Sequence, residues 1–131
     1  MKISHNKPPH YLILKWVFGF DWNQNVATLG DTIYFSIPKL PDHLMEHEKI
    51  HLKQQRYSKL YAVWWWVKYI FSKEFRFSQE LEAYRAQYKY FCENYHPTGR
   101  KEFLNKIAGD LSSPLYGNII GYFEAIDKIS Q

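Results

Sequence analysis

The stretch HLMEHEKIHLKQQ, residues 43–55, decides how this chain is read. It carries His43, His47 and His51 at intervals of four, with Glu46 and Glu48 between them. That interval stacks side chains on one face of a helix. At about 100° per residue, with His47 at zero, His51 falls near +40°, Gln54 near −20° and Leu44 near +60°. Ile50 and Tyr57 flank this arc, while Lys49, Lys53 and Arg56 lie on the far side. An ordinary amphipathic helix would place Leu or Ile at positions 47, 51 and 54. This one aims two imidazoles and an amide inward, and buried polar groups need partners. A metal ion is one such partner.

Two metal patterns overlap here. His47, Glu48 and His51 form H-E-x-x-H, in which histidines four apart reach one Zn²⁺ and the intervening glutamate serves as general base. His43, Glu46 and His47 form the rival H-x-x-E-H. Helix phase counts against the rival, because Glu46 falls at about −100°, beside Lys49 and Lys53 on the solvated side. His43 reads as a rim or capping residue.

A catalytic zinc takes three protein ligands and keeps one position open. The third ligand is sought in SQELEAYRAQ, residues 78–87, which offers Glu80 and Glu82. Leu81, Tyr84, Tyr88, Phe91 and Cys92 share one side of a helix through this stretch. Glu80 lies at the edge of that side, and Glu82 nearly opposite, with Lys89 and Glu93. Periodicity favours Glu80 as ligand and leaves Glu82 as the alternative.

The combination HEKIHLKQQ … ELEAYRAQ resembles the gluzincins, the thermolysin-like zinc metallopeptidases. It looks most like their very small, minigluzincin-type members and related phage and bacterial proteins. The resemblance covers about residues 30–90. It implies Zn²⁺ held by His47, His51 and a glutamate, with Glu48 as catalytic base. It also implies a strand before the metal helix that pairs with an extended peptide, a place occupied here by TIYFS. One departure is Tyr84, at a position after Ala83 that is often an Asp orienting a ligand histidine. The oxyanion-steadying group usual in such enzymes has candidates in Tyr34, Tyr57, Tyr84, Tyr116 and His96.

Around this centre the chain predicts a single domain over residues 1–131, α+β and zincin-like, with a small antiparallel sheet followed by four to five helices. YLILKWVF, residues 11–18, is a short apolar run that predicts a buried strand, with helix as the alternative. VATLGDTIYFSI, residues 26–37, predicts a hairpin turning at Gly30 and Asp31. Pro38 and Pro41 stop it, and Asp42 is placed as N-cap of a helix over about 42–58. Residues 59–75 predict a buried helix rich in tryptophan, with contact at a membrane interface as the alternative reading. Their apolar run is too short to span a bilayer, which takes about 20 residues. Ser78 is placed as cap of a helix over about 79–94. NYHPTG forms a loop, a helix covers about 99–111, and Ser113–Pro114 opens a last helical segment to about 129. LSSPLYGN, residues 111–118, reads as the turn at that helix start, with a loop approaching the site as the alternative. Trp64–Trp66 reads as core.

Composition narrows the function classes. One cysteine, Cys92, excludes an internal disulfide and a cysteine-held metal, and reads as a small buried hydrophobe. A net charge of +4, with bases scattered among acids, permits an anionic partner without arguing for nucleic acid. No secretory leader is legible in the opening residues, so a cytoplasmic protein is expected. The expected partner is a peptide or protein substrate, hydrolysed by a zinc-dependent peptidase. The alternative is a zincin-fold protein that binds zinc without turnover and acts in binding or assembly.

Overall fold

Gly30 sets the geometry of the hairpin. The computed structural model describes residues 1–131, and β2 (Ala27–Leu29) pairs antiparallel with β3 (Thr32–Tyr34). Gly30 turns the chain with φ +64°, and a Cβ there would lie 2.6 Å from the Lys59 backbone nitrogen. Only glycine meets both demands. An N-terminal strand, β1 (Lys2–Ser4), adds parallel to β3 and makes the sheet mixed, in the order β1-β3-β2. Its three residues carry no alternation long enough to be seen in sequence.

The run 11–18 is α1 (Tyr11–Phe18), not the buried strand expected. Gly19 ends it in the left-handed conformation, with its N–H on the Lys15 carbonyl and that of Phe20 on the Leu14 carbonyl. That C-terminal lock is available to a helix alone. Leu14 is its one buried residue.

The metal-motif helix is α2 (Asp42–Gln54), with Pro41 rather than Asp42 at the N-cap. Arg56 and Tyr57, at φ +56° and +54°, reverse the chain tightly. Ser58 then caps α3 (Lys59–Phe71) by accepting the Tyr61 N–H. The expected burial of this helix holds for one face only: Ala62, Trp65 and Tyr69 are buried, whereas Leu60 and Phe71 are exposed. The tryptophan run divides accordingly, with Trp65 in the core and Trp64 in solvent.

Ser72 closes α3 and caps α4 (Lys73–Asn94), six residues before the expected cap at Ser78. Ser78 instead returns its hydroxyl to the Phe75 carbonyl within the helix. A short 3-10 turn (Pro97–Gly99) leads into α5 (Arg100–Leu111). Pro114 opens only another 3-10 turn (Pro114–Tyr116), and α6 (Tyr122–Ser130) starts later. Cys92 is half-buried.

The α+β architecture is thus a three-stranded sheet and a run of helices. Two apolar clusters hold it. Ile33, Phe35, Leu40 and Leu52 join sheet to α2. Ile107, Leu111, Ala125 and Ile129 surround Tyr84 of α4. The α2–α4 contact, the largest between elements, bridges the two clusters, and its seam is polar.

Candidate metal centre

His47 and His51 occupy successive turns of α2, and Glu80 faces them from α4; all three are buried. His47 Nε2 lies 3.2 Å from His51 Nε2 and 3.1 Å from Glu80 Oε2. His51 Nε2 lies 3.4 Å from Glu80 Oε1. The arrangement can hold a divalent metal, as a test of spacing shows. A tetrahedral ion with bonds of about 2.0–2.1 Å keeps its ligand atoms roughly 3.3 Å apart. The two imidazole nitrogens already sit near that separation, each has a Glu80 oxygen within 3.4 Å, and one donor atom from each residue lies within 4.8 Å of the other two.

The outer ring nitrogens are committed elsewhere. His47 Nδ1 meets Gln87 Oε1 at 2.9 Å, and His51 Nδ1 meets Gln54 Oε1 at 2.9 Å. An amide oxygen only accepts, so both Nδ1 atoms carry a proton, which leaves the two Nε2 atoms as the ones that would meet a metal. Gln54 donates in turn to the Gln79 carbonyl. The Tyr69 hydroxyl donates to Glu80 Oε1 at 2.6 Å and leaves Oε2 facing His47.

Electrostatics of the metal-free cluster follow from burial against charge. Burial pushes His51 down, but the Glu80 carboxylate and its hydrogen bond, aided by Glu48, outweigh it and raise His51 to about 9. Burial pushes Glu80 up, and the charge of His51 with hydrogen bonds from both histidines pulls it well below the usual carboxylate range. Tyr69, Tyr84 and Tyr116 are driven well above 10 by burial and then by the Glu80 charge, so each keeps its hydroxyl proton.

Glu48 is also buried, and its Oε2 accepts the Thr28 hydroxyl of β2 at 2.7 Å. It lines a cavity of about 450 Å³ together with the His47–His51–Glu80 cluster. Leu14 and Phe18 of α1, Trp66 of α3 and Tyr116 wall the same cavity.

The remaining sequence candidates separate cleanly. Glu82 is exposed on the outer side of α4. Glu46 binds Lys49 at 2.8 Å, on the solvated side that helix phase assigned it. His43 is half-buried at the cavity rim, bonded to Gln87 Nε2 and edge-on to Phe103. Among the oxyanion candidates, Tyr84 and Tyr116 reach the cavity. Tyr57 and His96 are exposed, and Tyr34 is buried in the sheet. The segment 111–118 therefore does approach the site, through Leu115 and Tyr116, contrary to the reading of it as a helix-start turn.

TIYFS does not offer the free strand that the resemblance implied. It forms β3, the centre of the sheet, hydrogen-bonded on both sides. The edge nearest the site is β2, and its Thr28 carbonyl already accepts Gln55 Nε2 and Trp66 Nε1.

Two residues hydrogen-bonded to the cluster, Gln87 and Tyr69, escaped the sequence reading. Gln87 takes the histidine-orienting place that Tyr84 vacates, while the Tyr84 ring packs edge-on against His47 at 4.6 Å. Gln87 lies seven residues beyond Glu80, two turns on the same face, and that spacing was the signal. Tyr69 carried none, because α3 offers several equivalent aromatics.

Compared with models of protein families, with curated proteins and with solved structures, the chain finds no match.

Proposed function

We propose that the protein is a zinc-dependent peptidase. The observation that carries this is the convergence of His47, His51 and Glu80, with donor atoms within 4.8 Å of one another, and the buried carboxylate of Glu48 in the same cavity. Zn²⁺ bound there would supply Lewis-acid polarisation of the scissile carbonyl and a lowered pKa for water. His47, His51 and Glu80 are its ligands. Gln87 and Gln54 hold the two imidazoles in the required tautomer and orientation. Tyr69 fixes the Glu80 carboxylate. Glu48, held by Thr28, takes the proton from the attacking water and returns it to the leaving amine. Tyr84 and Tyr116, protonated at working pH, are the hydroxyls available to donate to the developing oxyanion. The resemblance of the motif pair to gluzincins supports the same reading.

The test is Glu48→Gln in the zinc-loaded protein, assayed against a mixed peptide library. The expected outcome is loss of hydrolysis by about 100-fold or more with zinc content unchanged, since general-base removal costs that much. Unchanged hydrolysis would remove Glu48 from the mechanism. A wild-type protein that holds zinc and cleaves nothing would favour the second reading, a binding protein. The observation behind that reading is the covered β2 edge.

A further inference from the structure

The outward faces of α1 and α3 are apolar, opposite to the usual arrangement of surface helices. On α3, Trp65, Tyr69 and Ala62 face the core, and the far side carries Leu60, Val63, Trp64, Val67 and Phe71, all exposed. On α1, Leu14 faces inward, and Leu12, Ile13, Trp16 and Val17 are exposed. Trp16 is 92 % exposed, Leu60 86 % and Phe71 83 %. The helices abut through His10 on Trp66, with ring centroids 4.6 Å apart, and Phe18 on Tyr69, at 5.6 Å. Trp66 sits about 60° round α3 from the exposed Val63, so the stripe on α3 borders its contact with α1.

The charge of this surface is mostly positive, with the exposed Asp21 and Glu74 just beyond its two helices. No Asp or Glu occurs in residues 1–20 or 49–73. Lys7, Lys15, Lys59 and Lys73 are exposed in and beside the two helices, and none forms an ion pair. Lys68 lies along the Trp64 and Phe75 rings, 5.8 and 4.7 Å from their centroids, in the manner of a lysine that covers apolar surface with its stem and holds its ammonium at the edge. An apolar centre containing tryptophan, rimmed by lysines, is complementary to the headgroup region of an anionic bilayer. A second copy docked on the same face would set lysine against lysine. No helix is long and apolar enough to cross a membrane, so contact is with one leaflet.

We propose that α1 and α3 together form a docking face for anionic lipid bilayers, with Trp16 and Trp64 entering the interface and the lysines engaging headgroups. This contact does not depend on metal or on catalysis. Leu14 and Phe18 on the inner side of α1, and Trp66 on α3, wall the metal cavity, so the docked face lies directly behind the wall of the site.

The test is vesicle flotation of the full chain. The probes are phosphatidylglycerol mixed equally with phosphatidylcholine, and phosphatidylcholine alone, at low and high salt. The expected result is co-flotation with the anionic vesicles, weakened by salt, with a blue shift of tryptophan emission. Trp16→Ser combined with Trp64→Ser should abolish the binding. Lys15→Gln combined with Lys59→Gln should weaken it by roughly fivefold for each lysine removed. Thermal melts verify that these surface variants fold. A folded wild type that stays with neither vesicle overturns the proposal. So does binding that both variant pairs retain, which would move the contact elsewhere. Self-association in sedimentation, lost in the tryptophan variant and unaccompanied by flotation, overturns it in favour of a second copy.

Discussion

The α2–α4 seam and the outer face of α1 and α3 break the same rule in opposite directions. In the seam, two histidines, two carboxylates and Gln87 are buried where a core would be apolar, and each has a partner. On the outer face, large apolar groups stand in solvent with none. A buried polar cluster and an exposed apolar patch are the two departures from ordinary partition that carry information. Here they lie on either side of one helix, α3. Trp65 reaches inward to Gln79, and Trp64, next in the chain, points out.

The comparison is broken most decisively at the seam. Elemental analysis of the purified chain should find about one zinc, the count set by one site of three protein ligands. His47→Ala and Glu80→Ala should lose it, and Glu82→Ala should keep it. Loss with Glu82 alone would mean that α4 presents another face to α2. The neighbouring tryptophans sharpen the contrast between inside and outside. Trp65→Ala should cost about 3–5 kcal/mol in chemical denaturation, as truncation of buried aromatics does. Trp64→Ala should stay within about 0.5 kcal/mol, as surface changes do. Equal costs would show that Trp64 is covered in the free protein. Smaller than the loss expected at Trp65 is the effect of Gln87→Ala, which removes a group that orients His47. Zinc affinity should fall about 10- to 100-fold in competition with a chelator.

The smallest effect is in protons. His51 is raised to about 9 by Glu80, so in the metal-free protein it carries a proton at neutral pH. The sign follows. A histidine raised by folding stabilises the fold fully below its ordinary value of 6.5, and that contribution is lost as pH rises through about 9. Metal must expel this proton, so loading at pH 7 should release about one proton, read by calorimetry in two buffers of different ionisation enthalpy. Affinity should climb with pH until about 9 and then level. Loading without proton release would show that His51 is already neutral.

Legibility in sequence followed the range of the interaction. The phase of α2 gave the inward histidines and Gln54, and the phase of α4 separated Glu80 from Glu82, because helix periodicity is local and regular. The hairpin was legible from Gly30. Strand β1 was not, since three residues pair with β3 some thirty positions away and leave no local trace. The run 11–18 misled because a short apolar run, interrupted only by Lys15, fits strand or helix equally. Ser72 and Ser78 are both acceptable caps by residue type; in the fold Ser72 accepts the Phe75 N–H and Ser78 lies inside the helix.

Gln87 joins two histidines through different ends of one amide. Its oxygen faces His47 and its nitrogen faces His43 Nδ1. The amide is therefore polarised in a fixed direction, and His43 must accept at Nδ1 and hold its own proton at Nε2. Burial, then the nearby Lys106, depress His43 below 6.5, which keeps that lone pair available. Protonating His43 would set its Nδ1–H against the N–H of the amide and favour a flip of Gln87. A flipped amide turns its own N–H groups on His47 Nδ1 and withdraws the acceptor that fixes the ligand tautomer. A histidine at the cavity rim thus decides, by which nitrogen holds its hydrogen, whether the His47 ring stays aligned.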